Sequence, residues 1–182
     1  MNPATIEREI RQWLTLMVIG ENLCPFAAEP YDAGRVRVAI CAAQDDDGIF
    51  RAFLEQLQLL LSSDPRQLET TLLVCPDGLG DFAHYLDLLA HLEATLRDDL
   101  NLAGVMQIAS FHPDYCFAGA APNDLANYTN RSPYPLFHLL REESVSAAVQ
   151  QAPHPERIPE RNKQHLRRLG LTRIQQLLRE DG

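Results

Sequence analysis

The sequence predicts an α/β fold: a small, largely parallel three- or four-stranded sheet flanked by helices, with an N-terminal helix and two C-terminal helices. Three short β-branched or apolar runs, at 35–42, 70–75 and 104–111, alternate with segments of helical periodicity. Alternation at that length favours strand–helix–strand crossovers over hairpins. The length of 182 residues fits one α/β domain, 1–182, enough to bury about 70% of the unfolded surface.

The elements follow in order. Ile6, Ile10, Trp13, Leu14 and Met17 recur at helical spacing, Asn2 can cap, Pro3 suits the first turn, and Gly20 supplies a stop. Val36, Val38 and Ile40 make the first strand, and 45–63 reads as a helix with Phe50, Phe53, Leu54, Leu57 and Leu61 inward, ended before Pro65. The second strand passes through Pro76-Asp77-Gly78 into a helix capped by Asp81 and carrying Phe82, Tyr85, Leu86, Leu89, Leu92 and Leu96. After the third strand, helices are predicted at 133–149 and 159–178, the latter broken at Gly170 and re-capped by Thr172.

Composition narrows the function classes. Sixteen basic against twenty-five acidic side chains leave a net charge of −9, an unfavourable field for a nucleic-acid partner, whose affinity comes from neutralised phosphates. Residues 154–182 invert the balance, with seven basic and four acidic side chains. Arg161, Lys163, Arg167 and Arg168 alternate there with Leu166, Leu169, Ile174 and Leu177, so a basic helical tail packed on the acidic body is expected. The start of the chain lacks the charge and apolar pattern of a secretory signal or a membrane span. Cys24, Cys41, Cys75 and Cys116 stand too far apart for a CxxC or zinc-ribbon pattern, which fits a reducing compartment. A cytoplasmic protein with no membrane partner is the expectation.

The region richest in chemistry is 100–140. It holds six of the thirteen aromatic residues and, among formal charges, only Asp114, Asp124 and Arg131. The connection leaving the third strand is longer than the ~12–15 residues at which irregular loops become uncommon and usually functional or disordered. Its aromatic content argues for a loop folded onto the body, at the carboxyl end of a strand, where open parallel sheets bind ligands. His112 can serve as acid or base with Asp114 two residues on to orient it. Tyr128, Thr129, Asn130, Arg131 and Ser132 precede the predicted helix at Pro133, with Ser132 as its cap, so amides and guanidinium form a cradle for a carboxylate or phosphate. His138, Arg141 and Glu142 would then share a helix face.

Other signals are weaker. Cys24, in a loop, is a candidate catalytic thiol, and Cys24, His112 and His138 suit a transition metal by ligand type. Gly78-Leu79-Gly80 with Ala83 imitates a dinucleotide turn, but Asp77 and Asp81 would repel a pyrophosphate. Asp45-Asp46-Asp47 is more simply a charged helix start than a cation site. No strong motif requires a cofactor.

Five stretches carry a family resemblance: Asn22-Leu23-Cys24-Pro25-Phe26; Ser110-Phe111-His112-Pro113-Asp114-Tyr115 with Phe117-Ala118-Gly119; Tyr128-Thr129-Asn130-Arg131-Ser132-Pro133-Tyr134-Pro135; His138-Leu139-Leu140-Arg141-Glu142; and Ile158-Pro159-Glu160-Arg161-Asn162. Through them the chain resembles the bacterial domain-of-unknown-function family fourteen-fifteen over most of its length. That resemblance implies no activity, because the family has none assigned. Cys116 stands where the family more usually has glutamine, which argues against a catalytic role for that thiol.

The sequence therefore points to an enzyme or binding protein for a small anionic molecule, with the site at 110–142. The alternatives are a docking or structural protein whose aromatic loop is a packed lid, and a metal site at Cys24, His112 and His138. Substrate, reaction and oligomeric state stay open.

Overall fold

The computed structural model describes residues 2–179. A four-stranded sheet lies between two helical layers. β1 is Val36–Ile40, β2 Thr70–Val74, β3 Met106–Phe111 and β4 Leu136–Arg141. The order is β1-β2-β4-β3. The α/β class, the three strands located in the sequence and the helices at both ends of the chain are as the sequence predicts.

The pairing is not largely parallel. Only β1 and β2 pair in parallel, while β4 runs antiparallel to both of its neighbours. The reason lies in 136–141, expected inside a helix. Leu136, Leu139 and Leu140 fit helical spacing, but Phe137 and Leu139 also alternate with Leu136 and His138, and short apolar runs are ambiguous between the two periods. Pairing with strands on both sides decides for a strand. β1, β2 and β3 still point the same way, as crossovers require, and β4 is inserted between β2 and β3.

α1, Pro3–Trp13, starts as predicted: Asn2 Oδ1 accepts from Ala4 N–H and Pro3 opens the first turn. It continues through wider π-type turns at Leu14–Ile19. A short α2, Ala28–Asp32, precedes β1. α3, Asp46–Ser62, is capped by Asp45, and α4, Phe82–Ala94, by Asp81. Both pack on one sheet face against Ala39, Cys41, Leu73, Cys75, Phe137 and Leu139. Their inward faces are rotated slightly from the predicted ones. Ile49 and Leu60 are fully buried whereas Leu61 is exposed, and Leu88 is buried where Leu86 is exposed.

The other face carries Leu72, Val74 and Leu136 against α1 and the C-terminal helices. α5 is Glu142–Gln151, α6 Ile158–Leu169 and α7 Leu171–Arg179. Gly170, at φ +81°, breaks the chain between α6 and α7 as expected, but Thr172 already lies inside α7, so the Gly170 carbonyl, accepting from Ile174 N–H, starts that helix. Leu166, Ile174 and Leu177 join the α1 cluster, and Asn162 and Arg161 donate to the Leu23 and Asn22 carbonyls. Residues 180–182, the end of the expected basic tail, lie outside the described residues. Among the described residues no helix is long and apolar enough to cross a membrane.

Candidate functional site

α1 and α7 cover only part of their sheet face. Where β1 and β2 begin, Val36, Thr70, Gln107, Ala109, His138 and Leu140 floor a cavity of about 580 Å³. Trp13, Leu14 and Val18 wall it on one side, Cys24 to Tyr31 on another, and Ser144, Val145 and Ala148 of α5 on a third. The volume falls within the ~300–1,000 Å³ of small-molecule sites. α5 is amphipathic yet has no buried residue; its small side chains face this hollow instead of a packed core.

His138 is the polar centre of the cavity. It projects to this face because Phe137 and Leu139, its neighbours on β4, project to the other. Its Nε2 lies 2.7 Å from Thr70 Oγ1, which in turn lies 2.6 Å from the Leu139 carbonyl. A threonine hydroxyl has one proton, and the carbonyl can only accept. Thr70 therefore donates to Leu139 and accepts from His138 Nε2–H, leaving Nδ1 as a bare lone pair. Among the described residues, the buried side-chain atoms without a partner are Thr71 Oγ1 and Arg141 Nε, so His138 Nδ1 is not sealed inside protein. Burial lowers the imidazole pKa to about 4, which keeps the ring neutral at physiological pH. The Phe111 ring, itself T-stacked on Trp13, is tilted against the imidazole with centroids 6.3 Å apart.

The other charged side chains on the cavity wall have polar partners, although none of those of Arg141 is a carboxylate among the described residues. Arg35 pairs with Glu29 and Glu69 and bonds the Pro65 carbonyl. Arg141 Nη2 reaches the Leu60, Ser63 and Leu68 carbonyls, so it ties β4 to the end of α3. Cys24 lines the cavity, and burial raises its thiol pKa, the opposite of an activated nucleophile.

The aromatic loop is a separate structure. His112 is fully buried on the α4 side, its ring about 5.1 Å from those of Phe82 and Tyr85. Its Nε2–H donates to the Leu79 carbonyl and its Nδ1 accepts from Asp114 N–H. The orienting group is thus the Asp114 backbone, while the Asp114 carboxylate is exposed. Arg131 lies over the Tyr128 ring and donates to the Tyr115 and Pro122 carbonyls. Asn130 donates to Ser110 O, Thr129 to Ala126 O and Ser132 to Tyr134 O. Buried Asn127, which the sequence reading passed over, accepts from Phe117 N–H and donates to Ala121 O.

These placements correct the anion cradle. No helix starts at Pro133, so Ser132 caps none and exposes no row of free amides to an anion. His138 and Arg141 sit on β4, with Glu142 opening α5 instead of sharing a helix face with them. His112 and His138 lie on opposite faces of the sheet. Among the described residues no three His, Cys, Asp or Glu side chains gather closely enough to hold a metal ion, so Cys24, His112 and His138 form no such set. The structure does bring Cys24 and His138 to one cavity. That cavity lies toward the amino ends of β1, β2 and β3, not the carboxyl end expected of an open parallel sheet.

The dinucleotide-like turn is also structural. Gly78, at φ +91°, passes so close to the Gln44 backbone that a Cβ would lie 2.5 Å from its carbonyl oxygen, and Leu79 is buried with its carbonyl holding His112. Thr70, Trp13 and α5 carried no signal in the sequence as cavity walls. The alternation of Phe137-His138-Leu139 was the readable hint that His138 leaves the core.

A family model described as a protein of unknown function, DUF1415, matches residues 5–176. No curated protein and no solved structure matches the chain.

Proposed function

The chain belongs to this family of unknown function, and we propose that it binds a small molecule in the cavity between the sheet, α1, α2 and α5. The observation that carries the reading is the open Nδ1 lone pair of His138 in a largely apolar hollow. Such a combination, an apolar container with one fixed polar group, is the usual make-up of a small-molecule site. In the aromatic loop the polar groups named above are instead turned onto loop carbonyls and amides, which favours a structural role for Arg131, Ser132 and His112.

The test is shift mapping by nuclear magnetic resonance with a library of uncharged fragments. Responses should gather on Trp13, Phe111, His138 and α5, and Ala109→Phe, which fills the floor, should abolish them while the fold persists. Responses gathered instead on 112–132 would return the site to the loop. No response in the cavity at millimolar fragment would remove the proposal.

A further inference from the structure

The chemical class of the ligand can be narrowed from the polar groups around the cavity, and this step rests on the binding reading above. The Thr70 hydroxyl has already spent its proton on the Leu139 carbonyl, so it holds His138 in the Nε2–H form. Toward the cavity the ring can then only accept. Gln107 and Ser144 also line the hollow, and neither side chain has a hydrogen-bond partner among the described residues.

Charge gives the second restriction. Arg35 is held by two carboxylates and a carbonyl, whereas Arg141 Nη2 meets three carbonyls and, among the described residues, no carboxylate, with its unpartnered Nε buried out of a ligand's reach. A carboxylate or phosphate entering this hollow would lose its hydration and meet the lone pair of a neutral imidazole, while the charges on the wall, Arg35 and Arg141 against Glu29 and Glu69, cancel and leave no net positive charge to offset the cost. A cationic ligand fares no better, because with Arg141 counted the same four side chains leave no net negative charge on the wall. The rest of the surface offered to a ligand is apolar, including Trp13, Leu14, Leu72, Phe111 and Leu140.

We propose that the cavity takes an uncharged, hydroxyl-bearing molecule with an apolar body, whose O–H donates to His138 Nδ1 while its body packs on Trp13, Phe111 and Leu140. The favoured class is a neutral alcohol or phenol. The carboxylate or phosphate expected from the sequence is disfavoured.

Three matched probes separate the classes: 4-butylphenol, its methyl ether 4-butylanisole, and 4-butylbenzoate, titrated at pH 7 by calorimetry. The phenol should bind at least about tenfold more tightly than the ether or the benzoate, the size of effect expected for one buried hydrogen bond. In the unaltered protein, ¹⁵N spectra should show a bare Nδ1 whose resonance moves toward the hydrogen-bonded position when the phenol, but not the ether, is added. His138→Leu should bring the phenol down to the ether's affinity. Thr70→Val, which releases the ring from its fixed tautomer, should shrink the phenol's advantage without abolishing ether binding.

Equal binding of phenol and ether, or tighter binding of the benzoate, would overturn the proposed class while leaving the cavity as a binding site. If none of the probes moves a cavity resonance in the unaltered protein at millimolar concentration, the class and the binding reading both fail. An Nδ1 already protonated in the free protein would overturn the class alone.

Discussion

Two histidines divide the molecule into a region that is finished and one that is not. His112 sits among aromatic rings in the most conspicuous stretch of the sequence, with both nitrogens bonded to backbone groups and no surface left over. His138 sits in an ordinary apolar strand, with one nitrogen bonded and the other facing a hollow. Density of aromatic and polar residues therefore does not mark the site. What marks it is a polar atom held in direction and left, among the described residues, without a protein partner.

The comparison can be broken by substitution. The largest effect should come from His112→Ala, which removes a packed ring and leaves the Leu79 carbonyl and Asp114 N–H unpaired. A loss of about 3–5 kcal/mol in urea unfolding is expected, from the cavity and the two orphaned groups together. A loss below ~1 kcal/mol would show that the loop is not stapled through this ring.

The next effect is a pH dependence. His138 has a folded pKa of about 4 against an ordinary 6.5, so below pH 6.5 the unfolded chain binds a proton that the fold refuses. Stability linked to this group is full above pH 6.5, falls as the pH drops toward 4 and then levels off. The loss is bounded by about 3 kcal/mol and is reduced by whatever water reaches the ring through the cavity. His138→Gln should lose that part of the slope between pH 7 and 4, and parallel profiles for variant and parent would contradict a buried neutral ring.

Smaller effects sharpen the contrast within the loop. Arg131→Ala should cost about 1–3 kcal/mol by releasing two carbonyls and the Tyr128 contact, and Arg131→Lys should not restore it, because one ammonium cannot reproduce the planar fork. Asp114→Ala should change stability by no more than about 0.5 kcal/mol, since its backbone and not its exposed carboxylate holds His112. Thermal melts of the two variants side by side check both.

Much of the fold was legible where local rules act alone. Asn2, Asp45 and Asp81 announce helix starts through their side-chain oxygens, and β1 to β3 stand out as apolar runs between helices. β4 was not legible, because Leu136 to Arg141 satisfies both periodicities and only the partners on either side choose between them. The site suffered from the same ambiguity. Cys24 and His138 were singled out, but on the premise of a helix at Pro133 and a converging His112. Thr70, which fixes the working tautomer, and α5, which walls the cavity, are brought to His138 by tertiary packing that no spacing in the chain encodes.

The insertion of β4 also sets the order in which the sheet can assemble. Among the described residues β3 lies at an edge and pairs only with β4. A nascent chain that has emerged as far as Phe111 can join β1 to β2, but its third strand has no ladder to enter until residues 136–141 arrive. The segment that joins β3 to the rest of the sheet is thus the one that delivers His138 to its place.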